Sequence, residues 1–161
     1  MNSLHNEIQA LGKLLCARNE HIATAESCTG GLISSTLTDC PGSSDWFLGA
    51  LVAYSNEIKN ALLKVPTETL QQHGAVSEQT VRAMAAGACS LLGVDHAVAV
   101  SGVAGPGGGS PQKPVGTVWI GWSVAGELSA HCFHFGGSRS EVKQQTVEQA
   151  LRGLSSRLAA L

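Results

Sequence analysis

Residues 24–31 read T-A-E-S-C-T-G-G, which sets Ser27, Cys28 and Thr29 side by side ahead of Gly30 and Gly31. A hydroxyl or thiol in such a place can attack an electrophilic carbon, cap a helix, or simply pack. If a strand ends here and a helix begins, free backbone N–H groups and the positive dipole end converge on the turn. That arrangement suits a phosphate or a developing oxyanion. The two glycines allow the backbone to come close to a ligand. A plain N-cap role for Ser27 or Thr29 accounts for the same position. No basic residue flanks Cys28, so its thiol reads as a small buried hydrophobe. Ala25 and Thr29 occupy the glycine places of a G-x-S-x-G elbow, which excludes that motif.

The second block is Y-S-N-E-I-K, residues 54–59. Tyr54 ends an apolar stretch, where its hydroxyl can project from the end of a strand, the place at which α/β sites gather. Lys59 follows Ser55 by about one helical turn. A serine nucleophile with a lysine base and a tyrosine relay is workable chemistry if burial keeps the amine neutral. A solvated lysine on an amphipathic helix fits the spacing as well. A third block, S-G-V-A-G-P-G-G-G-S at 101–110, lacks the G-K-[ST] ending of a triphosphate loop, and Pro111 and Pro114 oppose a following helix. It suits a ligand-wrapping loop, or a structural one. Arg139, after Gly136-Gly137-Ser138, stands where a guanidinium can grip a phosphate or carboxylate in bidentate fashion, or lie on the surface. His131 and His134 would face opposite sides of a strand, which argues against a shared metal. His73, just before Gly74, suits compensation of a helix dipole.

The elements that must position these groups follow from periodicity. Leu4, Ile8, Leu11 and Leu15 predict a helix over 3–18 started by Ser3. A short strand at 21–25 leads to a helix containing Leu32, Ile33, Thr36 and Leu37. The run 46–55 reads as a buried strand, and 55–65 as a helix with Ile58, Ala61, Leu62 and Val65 on its apolar face. Pro66 opens a short helix ending at Gly74, and Ser77 caps a longer one that closes at Gly93. The apolar run 96–101 is a strand covered on both faces. A hairpin then turns at Gly126-Glu127, and Ser138 with Glu141 forms a capping box ahead of a final helix. The order predicts α/β architecture: a single three-layer α/β/α domain over 1–161 with a mixed sheet.

Bulk properties narrow the partners. The chain has 161 residues, net charge −2 and only 14% charged residues. Scattered Lys and Arg give no nucleic-acid footprint. No run approaches the ~20 apolar residues of a membrane helix. The N-terminus lacks a secretory pattern. Five cysteines without a C-x-x-C pair suggest neither zinc nor disulfides and point to a reducing cytoplasm. The low charge and long apolar strands suggest a homo-oligomer.

Together T-A-E-S-C-T-G-G, V-A-Y-S-N-E-I-K, H-G-A-V-S-E and S-G-V-A-G-P-G-G-G-S-P-Q-K-P-V-G-T-V-W resemble the CinA C-terminal domain family, in order and over nearly the whole chain. The resemblance implies a stand-alone copy of that domain. It implies a serine amidase without metal or cofactor, hydrolysing the carboxamide of nicotinamide mononucleotide to nicotinic acid mononucleotide and ammonia in pyridine nucleotide recycling. A non-catalytic nucleotide-binding module of the same family is the alternative, and thiol-dependent hydrolysis at Cys28 a third. By motif, Ser27 is the nucleophile, with Tyr54 and Lys59 as relay and base. Thr29, Gly30 and Gly31 would hold the oxyanion. Ser101, where relatives often carry Thr, would face the nucleotide with Gly102, Gly105 and Arg139. Relatives often place an acid after G-P, where this chain has Gly107.

Overall fold

The computed structural model describes residues 2–161. Its order is α1 (Asn2–Arg18), β1 (Ile22–Glu26), α2 (Leu32–Thr38), a 3-10 turn (Ser43–Asp45), β2 (Phe47–Val52), α3 (Asn56–Leu63), α4 (Thr67–His73), α5 (Glu78–Leu92), β3 (His96–Gly102), β4 (Thr117–Val124), β5 (Glu127–His134) and α6 (Arg139–Ala159). The sheet runs β2-β1-β3-β4-β5. The first three strands in that order are parallel, and β4 runs antiparallel to both of its neighbours, β3 and β5. The mixed sheet and three α/β/α layers match the order expected from the sequence.

Two cores lie on opposite faces. One is bulky: Leu11, Leu15, Ile33 and Leu37 from α1 and α2, with Leu151 and Leu154 from α6, pack on Val98, Val100, Ile120 and Trp122. The other is small: Ala25, Ala53, Ala85, Ala88, Ala97 and Ala99 pack with Leu63, Val65 and Met84. Side chains this short let helices approach the sheet closely. At Gly87 of α5, a β-carbon would run into the carbonyl oxygen of Leu63, so α5 and the end of α3 touch backbone to backbone.

Most caps form where the sequence places them. Ser77 accepts from the Thr80 amide, and Ser138 and Glu141 make a full capping box. Three expectations differ. Ser3 lies inside α1 and its hydroxyl donates to Glu7 Oε1 rather than capping. β2 is an edge strand whose alternate residues face outward, not a buried one, because no strand among the described residues lies beyond it. Helix α3 buries Lys59 and Leu63 and leaves Ile58 and Leu62 outside, 39% and 42% exposed. Its lysine points inward because polar partners wait there.

Candidate active site

Parallel register brings three strand ends level: Val52 of β2 pairs with Glu26 of β1, and Glu26 with Val100 of β3. The next residues therefore cluster. The Ser27 amide donates to the Val100 carbonyl (3.1 Å), and the Ala53 amide donates to the Glu26 carbonyl (2.8 Å). Alternation along β1 then sends neighbouring side chains to opposite faces. Glu26 turns toward α2, and Ser27 turns toward α3.

On the α3 side, Lys59 Nζ stands 2.9 Å from Ser27 Oγ and 2.9 Å from the Tyr54 carbonyl. Ser55 caps α3 by accepting from the Ile58 amide, which fixes the turn that carries the lysine inward. Lys59 is 1% exposed and Ser27 is 7% exposed. Burial lowers the amine's pKa from its ordinary 10.5, because a charged ammonium is poorly solvated there. Once deprotonated, an amine at this distance from a hydroxyl is placed to accept its proton. The contact is direct, so no relay is needed between the two residues. Tyr54 contributes its carbonyl to this contact, while its exposed hydroxyl accepts from Arg139 (3.3 Å).

Burial pushes the Cys28 thiol up to about 11. A thiol in that state is a poor nucleophile near neutral pH, which counts against thiol-dependent hydrolysis.

On the α2 side, Glu26 is fully buried. Its Oε1 accepts from the Thr29 hydroxyl (2.7 Å) and the amides of Gly31 (3.2 Å) and Ile33 (2.8 Å). Its Oε2 accepts from the Thr24 hydroxyl (3.2 Å) and the Ser34 amide (2.9 Å). Glu26 is a functional residue that periodicity and motif do not single out. Its signal was an acid closing an otherwise apolar strand directly before a turn. With Glu26 in place, the first turn of α2 already holds its anion. The Gly31 amide is taken by Glu26, and the Gly30 amide by the Ser27 carbonyl (3.1 Å). Of the three expected oxyanion donors, the Thr29 amide alone has no acceptor among the described residues.

Across the mouth, Arg139 donates to the Gly105 carbonyl (2.8 Å) as well as to Tyr54. Gly105 follows β3 and Tyr54 follows β2, with β1 between them. The guanidinium therefore ties the two flanks of the strand that delivers Ser27. Ser101 is buried at the end of β3. Alternation puts it on the same sheet face as Ser27, followed by Gly102. The 102–116 loop is held to α4 by Lys113, which donates to the His73 carbonyl (2.8 Å). His131 packs edge-on against Phe133, while His134 lies near Thr117 Oγ1 (3.5 Å), so the two histidines stand apart as alternation requires.

The family model of the CinA C-terminal domain matches residues 4–158. The chain belongs to the CinA C-terminal domain family. Among its relatives, the nicotinamide-nucleotide amidohydrolase PncC of Pseudomonas putida is 50% identical over 144 residues, 89% of this chain and 90% of that protein. The protein of the same name from Escherichia coli K12 is 48% identical over 147 residues, 91% of this chain and 89% of that one. A CinA superfamily protein of Klebsiella pneumoniae shares the fold with a TM-score of 0.93 and 37% identity, covering 98% of this chain and 99% of its own. The competence/damage inducible protein of Agrobacterium tumefaciens gives 0.92 and 40%, covering 95% and 94%. The strand-end cluster around Ser27 therefore sits on a framework this chain shares with those solved structures.

Proposed function

We propose that this chain hydrolyses the carboxamide of nicotinamide mononucleotide, with Ser27 as nucleophile and Lys59 as base. The observation that carries this reading is the 2.9 Å contact between the Lys59 amine and the Ser27 hydroxyl in a buried setting. The names of the relatives supply the substrate. Lys59 takes the hydroxyl proton as Ser27 Oγ attacks the amide carbon, and the Thr29 amide donates to the resulting oxyanion. Collapse breaks the C–N bond, the proton on Lys59 passes to the leaving nitrogen, and ammonia departs. A water, deprotonated by the same amine, then cleaves the acyl-serine ester to give nicotinic acid mononucleotide. The Tyr54 carbonyl holds the amine in line throughout. Arg139 and the loop from Ser101 through Gly102 and Gly105 enclose the nucleotide end of the substrate.

The test is ammonia release from nicotinamide mononucleotide. Ser27→Ala is expected to lose at least about 10³-fold in kcat, as removal of a nucleophile does. Full turnover by that variant would sink the serine mechanism. Nucleotide-dependent thermal stabilisation without any ammonia from the intact protein would favour the binding-module alternative.

We also infer that copies of the chain associate through β2. This edge strand, F-L-G-A-L-V, carries neither charge nor proline, the usual devices that keep a free edge unpaired. Leu48, Val52, Ile58 and Leu62 are exposed on β2 and the neighbouring α3. A second copy offers the same uncharged edge to pair with.

A further inference from the structure

Three cations belong to the strand-end cluster, and two of them have work already. Lys59 serves Ser27 and the Tyr54 carbonyl. Arg139 holds Gly105 and Tyr54. The third is Lys143, half-buried on α6 and one helical turn beyond Arg139, hence on the same face of that helix. Its ammonium lies against Gly30: a β-carbon built there would be 3.9 Å from Nζ. Gly30 has φ +59, and its amide donates to the Ser27 carbonyl, so Lys143 stands beside the nucleophile's own turn. Its charge also reaches Cys28, where it acts to lower the thiol's pKa against the larger effect of burial.

Among the described residues Lys143 has no ion-pair partner. The carboxylates closest to it in the chain and in the turn are engaged elsewhere. Glu26 faces inward onto amides and hydroxyls. Glu141 closes its capping box on the Ser138 amide. A half-buried ammonium of this kind, next to a reacting centre in a chain of net charge −2, is placed to receive an anion from outside.

We propose that Lys143 is the specificity-determining contact for the phosphate of the substrate, distinguishing a mononucleotide from its nucleoside. This rests on the amidohydrolase reading above. The amide and the phosphate occupy opposite ends of such a molecule. The base and Thr29 serve one end, and Lys143 serves the other across the Gly30 turn.

The experiment compares ammonia release from nicotinamide mononucleotide and nicotinamide riboside by the wild type, Lys143→Gln and Lys143→Arg. Loss of a charge-assisted contact is expected to cut the mononucleotide-to-riboside ratio of kcat/KM by about ten- to a hundredfold in Lys143→Gln, mainly through KM. Lys143→Arg is expected to recover most of the preference, since it keeps the charge. An unchanged ratio, or an equal fall on both substrates, overturns the proposal. If the wild type releases ammonia from neither compound, the functional reading is what fails. Lys143 is then read from ribose 5-phosphate binding: a rise in Tm for the wild type but not for Lys143→Gln supports it, and equal rises, or none in either, overturn it.

Discussion

An amine that gives up nearly all its water for a serine hydroxyl and one carbonyl has a titration that can be read in two independent ways. Lys59 must be neutral to act as base, so kcat/KM is expected to rise with pH through its lowered pKa, below the ordinary 10.5. Stability moves in the same sense. The unfolded chain keeps the Lys59 proton up to the ordinary value, whereas the folded chain releases it earlier. Between those two points the unfolded state binds more protons, so folding gains stability as pH rises. Urea unfolding of wild type and Lys59→Met across this window should show the wild type gaining on the variant toward pH 10.5. Parallel curves would refute a depressed amine. The sequence showed Lys59 as a candidate base, but its spacing equally described a surface lysine. What decides is the pair of oxygens beneath α3, and these come from segments 5 and 32 residues away.

At the scale of elements, the β1–α2 turn is organised by Glu26. Five donors converge on its two carboxylate oxygens. Glu26→Gln keeps the shape but sets an amide N–H₂ group against donors. Leaving buried donors unsatisfied is expected to cost about 2–4 kcal/mol, from ~1–3 kcal/mol for each group. Turnover should fall with it because Ser27 and Thr29 share the turn. The measurements are chemical denaturation together with the pH profile of kcat/KM, and the profile should keep its shape because Lys59 is untouched. A stability within about 0.5 kcal/mol of wild type would contradict this role for Glu26. Periodicity located α1, and cap and turn residues located α5, α6 and the β4–β5 hairpin, which carry their own start or stop signals. The orientation of α3 escaped the same treatment. Ile58 and Leu62 look like the inward face of an amphipathic helix, yet the polar contacts of Lys59 rotate them outward.

The whole molecule presents an unprotected strand edge beside an apolar helix face, an arrangement expected to be covered by a second copy. Light scattering on the purified protein should therefore report a homo-oligomer. Leu48→Lys with Val52→Lys, both on outward-facing positions of β2, should shift it toward monomer. A wild type that is monomeric at tens of micromolar would end that reading. From the sequence, the apolar run 46–55 reads as an interior strand, because an uncharged edge strand carries the same residues as a covered one. The alanine layer between sheet and helices has a consequence of a different kind. It acts as a spacer: Ala25 on β1 and Ala53 after β2 pack with Leu63, at the end of the helix that carries Lys59. On the proposed mechanism, the gap between amine and hydroxyl would depend on methyl groups outside the pair itself. Widening the spacer by one carbon at either alanine would detune the enzyme while leaving every reactive group in the chain.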